Sequence, residues 1–260
     1  MKITFLGTGT SQGIPVIGSK HPVCLSKNSK DKRLRCSVLI EKDQKNFLID
    51  CGPDFRYQML RSNYEKLNAI FMTHEHQDHI GGLDDIRPIN FNMNTPISIY
   101  GLRRVIENLK KRFFYIFSEN KKSNVSKIFS HELDNYKDFF LVENSKIFPL
   151  FIWHGHLPIL GFRIGNFAYI TDASTIPIQT IQQLKGINVL VLNVLRNILK
   201  KAEKNPFPFM LSDTLNIIQK ISPKKTYLTH ISHTFGFHEE IETQLPNNVY
   251  LAYDELIIYE

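Results

Sequence analysis

Short apolar, β-branched runs recur from one end of the chain to the other, separated by stretches in which apolar positions return every three to four residues. The short runs predict strands over Lys2–Leu6, Ser37–Glu41, Phe47–Asp50, Ala69–Thr73, Ile97–Tyr100 and Lys146–Trp153, and further on over Gly161–Ile164, Phe167–Thr171, Val189–Leu192, Thr226–Thr229 and Val249–Ala252. The longer period predicts helices over Asp54–Ser62, Leu83–Ile89, Leu102–Phe117, Ile178–Lys185, Ser212–Ile221 and Glu239–Leu245. Pro53, Pro177 and Pro223 stand near the ends of these helices, where proline starts a helix or stops it. Strands dominate and helices are interspersed, which gives a mixed α/β class with sheets covered by helices. No fixed-period repeat and no Gly/Ser/Pro linker divides the chain, so one domain over residues 1–260 is expected. The segment Glu119–Asn144 is polar and poorly periodic, and reads as an insertion or irregular flank.

One predicted strand carries chemistry. Ala69-Ile70-Phe71-Met72-Thr73 runs into His74-Glu75-His76-Gln77-Asp78-His79, and then into Ile80-Gly81-Gly82 and a helix. On an extended segment, residues two apart face the same way, so His74 and His76 can share one metal ion. Asp78 and His79 can bend round to a second, while Gly81 and Gly82 let the backbone turn closely beneath. Imidazole suits zinc, and also iron and nickel; carboxylate oxygen widens the choice toward manganese. Two open sites need more donors than this loop holds. His154, Asp172 and His230 each end a β-like run and are the expected further ligands, with His156 a rival to His154. Asp50, which ends Phe47-Leu48-Ile49, is the expected acceptor for a ligand histidine's second N–H.

The series His74-x-His76-x-Asp78-His79, His154, Asp172, His230 resembles the ligand set of the metallo-β-lactamase superfamily. The opening Phe5-Leu6-Gly7-Thr8-Gly9-Thr10-Ser11-Gln12-Gly13-Ile14-Pro15 and the closing Leu228-Thr229-His230-Ile231-Ser232-His233 are similar to one branch of it, that of the phosphoribosyl cyclic-phosphate phosphodiesterases. The resemblance implies a four-layer αββα sandwich with two divalent ions on one rim, zinc by preference and manganese or iron as alternatives. It implies His74, His76 and His154 on one metal, Asp78, His79 and His230 on the other, and Asp172 between them. The implied reaction is hydrolysis of a small cyclic or nucleotide-like phosphodiester through a bridging hydroxide, with Asp78 and Asp172 as the catalytic carboxylates. An RNA-processing nuclease related to the tRNA 3′-end endonuclease, or a thioester hydrolase of glyoxalase type, are the alternatives.

The glycine loop after the first strand places Thr10, Ser11 and Gln12 where backbone N–H groups could meet the substrate phosphate; it lacks the lysine and spacing of a nucleotide P-loop. Relatives in the branch often hold a structural zinc with an N-terminal cysteine-rich loop and a C-terminal histidine. Here His21, Cys24 and His233 are what could form such a third site. Relatives also place a proton-donating histidine before the last ligand strand. The matching stretch, Asn205-Pro206-Phe207-Pro208-Phe209-Met210-Leu211, has none, which leaves His233, His238 and Lys225 as substitutes.

Composition narrows the setting. The 32 Lys and Arg against 25 Asp and Glu give +7, which favours anionic partners, a small phosphodiester ahead of nucleic acid. Three cysteines suggest no disulfide framework. With no apolar run of membrane-spanning length and no signal-peptide pattern after Met1, a cytoplasmic protein without membrane contact is expected. Arg103–Phe117, basic and then aromatic, could form a homodimer face or a substrate wall, with core burial the preferred reading.

Overall fold

The computed structural model describes residues 1–118, 124–133, 138–194 and 211–260. Its strands are β1 (Lys2–Gly7), β2 (Ser37–Lys42), β3 (Lys45–Ile49), β4 (Ala69–Phe71), β5 (Ile97–Gly101), β6 (Ile128–Glu132) and β7 (Phe140–Val142). They continue with β8 (Ser145–His154), β9 (Leu157–Ile164), β10 (Phe167–Tyr169), β11 (Val189–Asn193), β12 (Lys225–Thr229), β13 (Val249–Leu251) and β14 (Ile257–Tyr259). They form two seven-stranded sheets, in the orders β14-β1-β2-β3-β4-β5-β6 and β13-β12-β11-β10-β9-β8-β7.

The two sheets repeat one plan. In the first, β14, β1, β2 and β3 pair antiparallel, and β3 to β6 pair parallel. In the second, β7 to β10 pair antiparallel and β10 to β13 parallel. Because β8 and β10 are both antiparallel to β9, they run the same way. The C-terminal ends of β8, β10 and β12 therefore open on one rim of their sheet, which is what a shared site at strand ends requires.

Burial explains the layering. Ile3, Phe5, Val38, Phe47, Ile49 and Phe71 from the first sheet meet Ile147, Phe162, Phe167 and Tyr169 from the second in an apolar centre. Phe71 lies at its middle, with ring centroids 5.8 Å from Phe47, 5.7 Å from Tyr100 and 5.2 Å from Phe162. The outer face of the first sheet is covered by Phe55, Ile86, Val105, Ile106 and Leu109, and that of the second by Ile181, Leu184, Ile218 and Ile221. Each sheet is thus apolar on both faces, and the αββα order expected from the resemblance is the arrangement found.

The differences from the sequence reading have local causes. Glu119–Asn144 is not an irregular flank: its described residues supply β6 and β7, the outer strands at one side of both sheets. An outer strand has one unpaired edge, so Phe129, His131 and Glu132 face solvent and the apolar alternation is diluted. The helix expected over Leu102–Phe117 breaks at Phe113 into Arg103–Arg112 and Phe114–Phe117. Val105, Ile106, Leu109 and Ile116 are core, whereas Phe114 is exposed. Gln77–Ile80 forms one helical turn that the histidine-rich spacing concealed.

A buried polar knot ties the N-terminal loop to the C-terminal segment. The Arg33 guanidinium donates to Thr8 Oγ1 at 2.7 Å, to the Ala252 carbonyl and to His238 Nδ1 at 3.1 Å. Asp254 accepts from Thr8 Oγ1 and from the Leu34 N–H, both at 2.8 Å. Burial, and then the facing Arg33 and Lys30 charges, push His238 down to about 4 from its ordinary 6.5, with Asp31 pulling the other way. The unfolded chain therefore takes up a proton at His238 before the folded one does, and folding stability falls as pH drops from about 6.5 toward about 4. Urea midpoints measured across that window should decline for the wild type and decline less for His238→Gln.

Candidate metal centre

The site grows from strand ends. After β4, the chain stays extended through Thr73 and His74 to His76, whose ψ of 150° precedes the short Gln77–Ile80 turn. That turn swings Asp78 and His79 back toward the rim. Close backbone packing makes this possible: a Cβ on Gly52 would lie 2.1 Å from the Asp78 carbonyl oxygen, and one on Gly82 2.1 Å from that of Gly52. The Cys51 N–H donates to the His79 carbonyl at 2.7 Å and locks the two segments together. Asp50 and His230, directly past β3 and β12, and Asp172, three residues past β10, take positive φ of 63°, 56° and 56°. This left-handed turn is uncommon outside glycine and aims each side chain over the rim.

Donor atoms gather in two groups. One holds His74, His76 and His154; the other holds Cys36, His79, Asp172 and His230; within each, one donor atom per residue lies within 4.8 Å of all the others. Asp78 joins the second group, with Oδ2 3.2 Å from His79 Nε2 and 3.9 Å from His230 Nε2. Asp172 reaches His79 Nε2 at 3.3 Å through Oδ2 and His230 Nε2 at 3.2 Å through Oδ1. The two groups are contiguous, since the His74 and His79 rings are 4.1 Å apart at their centroids. His154, at the end of β8, stands with His74 and His76, while His156 projects outward from the Gly155-His156 turn. Glu75 is drawn away by Arg104, with contacts of 2.8 and 3.0 Å.

The supporting bonds fix which ring nitrogens are free. Asp50 Oδ2 takes His79 Nδ1 at 2.7 Å and the Thr73 hydroxyl at 2.8 Å, and Oδ1 takes the Thr73 N–H at 2.8 Å. Since the Thr73 hydroxyl donates to Asp50, it accepts from His74 Nδ1 at 2.9 Å. Nε2 of His74 is thereby left as a lone pair facing the rim, and Nε2 of His79 is turned toward the Asp78 and Asp172 carboxylates. His74 Nε2 lies 3.0 Å from His76 Nδ1. His79 Nε2 and both ring nitrogens of His230 are buried without a hydrogen-bond partner. Buried imidazole nitrogens and carboxylate oxygens that converge without hydrogen bonds call for positive charge among them, so the donor set fits divalent metal ions.

The electrostatics agree. Burial alone would raise Asp78 and Asp172, but neighbouring His79 and His230 hold both well below the usual carboxylate range. Burial and the other imidazoles push His74 well below its ordinary value, so it is a neutral donor at pH 7. At His79 burial is outweighed by the Asp172 and Asp50 carboxylates, which hold it well above its ordinary value. A site that raises one imidazole this way calls for positive charge.

Asn193, Cys36, Thr73 and Thr171 were not singled out by the sequence. Asn193 clamps the Asp172 turn by taking the Ala173 N–H at 2.9 Å and donating to its carbonyl at 3.2 Å. Cys36 directly precedes β2 and reaches the rim only through the antiparallel β2–β3 register, Val38 opposite Ile49, which the sequence does not show.

The glycine loop borders the centre, as Gly9 bridges to Ile231 beside His230. Its backbone is largely committed, with the Thr10 N–H donated to Ile231 O at 3.2 Å and the Gly13 N–H to Thr10 O at 2.9 Å. Ser11 and Gln12 are exposed. The expected structural-metal trio does not gather among the described residues. His21 and His233 approach to 5.2 Å between ring centroids, but His21 Nδ1 accepts the Val23 N–H as a helix cap. Cys24 is packed with Ile14 and Val23. Of the substitute proton donors, His238 is turned onto Arg33, and Lys225 starts β12, about 16 Å of chain from His230. The histidine-free stretch at 205–210 lies outside the described residues.

Comparison with known proteins agrees with this architecture. The family described as the beta-lactamase superfamily domain matches residues 45–231. A crystal structure of a new diphosphatase from the PhnP family is 37% identical, with a TM-score of 0.90, covering 100% of this chain and 97% of that one. Human tRNase Z, short form, shares the fold at 20% identity and a TM-score of 0.75, covering 100% and 99%. An octanoyltransferase of Porphyromonas gingivalis is 36% identical over 257 residues, 98% of this chain but 51% of that protein. A ribonuclease Z of Methanococcus aeolicus is 36% identical over 153 residues, 56% of this chain and 40% of that protein. The chain thus spans about half the length, or less, of these curated relatives. With its matched domain, its sandwich and its whole-length likeness to the diphosphatase, the chain belongs to the metallo-β-lactamase superfamily, in its PhnP branch.

Proposed function

We propose that this chain is a two-metal phosphodiesterase acting on a small cyclic or nucleotide-like phosphodiester. The observation that carries the reading is the pair of adjoining donor groups, in which buried ring nitrogens of His79 and His230 lack partners and face the Asp78 and Asp172 carboxylates. His74, His76 and His154 would hold one ion; Asp78, His79 and His230 the other; Asp172, which lies against both His79 and His230, would stand between. Zinc suits this mixed imidazole and carboxylate set, and manganese or iron also fit it. Bound there, two divalent ions supply Lewis acidity that brings water's pKa toward about 7 and offsets charge on the phosphoryl oxygens.

The chain's own residues do the rest. Asp50 orients His79, and through Thr73 it orients His74, so both rings present Nε2 without rearrangement. Asp172 is held by Thr171 Oγ1 at 2.7 Å and by the Asn193 clamp. The net charge of +7 favours an anionic substrate. Support for phosphorus chemistry comes from the relatives, one a diphosphatase and others ribonucleases.

The 36% identity to a ribonuclease Z favours RNA cleavage as the second reading. Bis(p-nitrophenyl) phosphate, a thioester and a precursor tRNA, offered to one preparation, separate the possibilities. The first reading expects turnover of the phosphodiester and none of the thioester. Cleavage of the tRNA, with binding that weakens steeply between two salt concentrations, would move the assignment to a nuclease. Thioester turnover alone would sink both.

A further inference from the structure

We propose that Cys36 is a soft metal ligand at the second donor group, and that it biases this position toward thiophilic cations, zinc over manganese. The proposal rests on the two-metal reading above.

Cys36 sits at the buried side of the group. Its Sγ is within 4.8 Å of the donor atoms of His79, Asp172 and His230, and the residue is 1% exposed. A zinc ion reaches sulfur at about 2.3 Å and imidazole nitrogen at about 2.0–2.1 Å, so a sulfur and a nitrogen ligand of a tetrahedral ion stand about 3.6 Å apart. Closing the group around the ion by up to about 1.2 Å completes the tetrahedron. Weak contacts hold the thiol: Thr171 Oγ1 at 3.5 Å, which donates to Asp172 Oδ2 and can accept from the S–H, and the buried Tyr169 hydroxyl. The second, independent observation is the orphaned state of His79 Nε2 and His230 Nε2, both buried and aimed into the same space.

His79, Asp172 and His230 thus have two alternative fourth partners. Asp78 approaches from the more open side, its side chain 13% exposed, and Cys36 from beneath. A hard carboxylate suits manganese; a thiolate suits zinc and cobalt. As the sulfur–metal bond forms, the thiol proton leaves to solvent, as metal uptake by cysteine requires.

Cobalt(II) is the probe, because a thiolate–cobalt bond adds an intense near-ultraviolet charge-transfer band that imidazole and carboxylate ligands do not give. The full chain, stripped and reloaded with two equivalents of cobalt, should show that band. Cys36→Ser should bind two cobalt ions without it, and its preference for zinc over manganese in competition should fall about ten-fold or more. Cys36→Ala, checked by circular dichroism, serves if serine disturbs the buried site. Two bound cobalt ions without the band in the wild type, or an unchanged zinc preference in the variants, would overturn the role of Cys36 and leave the two-metal reading standing. Failure of wild type and variants alike to bind cobalt would overturn both.

Discussion

Asp172→Ala is expected to reduce phosphodiester turnover by about 10³-fold or more, a loss of about 4 kcal/mol of transition-state stabilisation. The carboxylate contacts Nε2 of both His79 and His230, at 3.3 and 3.2 Å, so its removal strips a shared partner from two imidazoles at once. Asp172 is buried, and its pKa is held well below the usual range by His230 and His79 against the pull of burial. Its negative charge is therefore present throughout the pH range in which an enzyme would work. The turn that presents it is held separately, by the two Asn193 bonds to Ala173. The variant should accordingly fold, with a circular dichroism spectrum like that of the wild type, and bind less metal. Wild-type kcat/KM in Asp172→Ala would remove this carboxylate from the mechanism.

Asp50 is expected to matter almost as much without touching substrate. Its two oxygens hold His79 Nδ1, the Thr73 hydroxyl and the Thr73 N–H, and the Thr73 hydroxyl in turn holds His74. One residue therefore orients a histidine in each donor group. Loss of such outer partners costs about 10–100-fold in metal affinity. Asp50→Ala should weaken both metals by that order and lower the unfolding midpoint, because it leaves a fully buried N–H and hydroxyl without acceptors. Asp50→Asn, which keeps one acceptor oxygen, should recover part of the loss. Equal metal affinity in wild type and Asp50→Ala, measured by chelator competition, would show that the histidines need no such support.

Asp50 also shows what the chain reveals before it is folded. It stands after β3 as Asp172 stands after β10, each following the strand at which the antiparallel half of its sheet meets the parallel half, with φ of 63° and 56°. Both could be read as aspartates ending apolar runs, as could His154 and His230, because a residue at a strand end declares itself by the run before it. The spacing of His74, His76, Asp78 and His79 was legible for the same reason. What could not be read depended on pairing across long separations. Cys36 reaches the rim through the β2–β3 register, and Asn193 through a contact with a residue 20 positions earlier. β6, β7 and β14 were missed because outer strands bury less of their surface and lose the alternation that marks inner ones. For His21, Cys24 and His233 the chain order carries no side-chain orientation: His21 and His233 stand ring to ring, while His21 Nδ1 caps a helix turn and Cys24 lies in a small apolar cluster.

The central claim is that two ions at this rim make a phosphodiesterase. The direct test strips the protein with chelator, then returns metal stepwise while bound metal and bis(p-nitrophenyl) phosphate hydrolysis are followed together, with His76→Ala alongside. Turnover that rises to a plateau at two equivalents per chain, and is lost in His76→Ala, is the predicted result. Hydrolysis by the metal-free protein, or undiminished hydrolysis by His76→Ala, would contradict it.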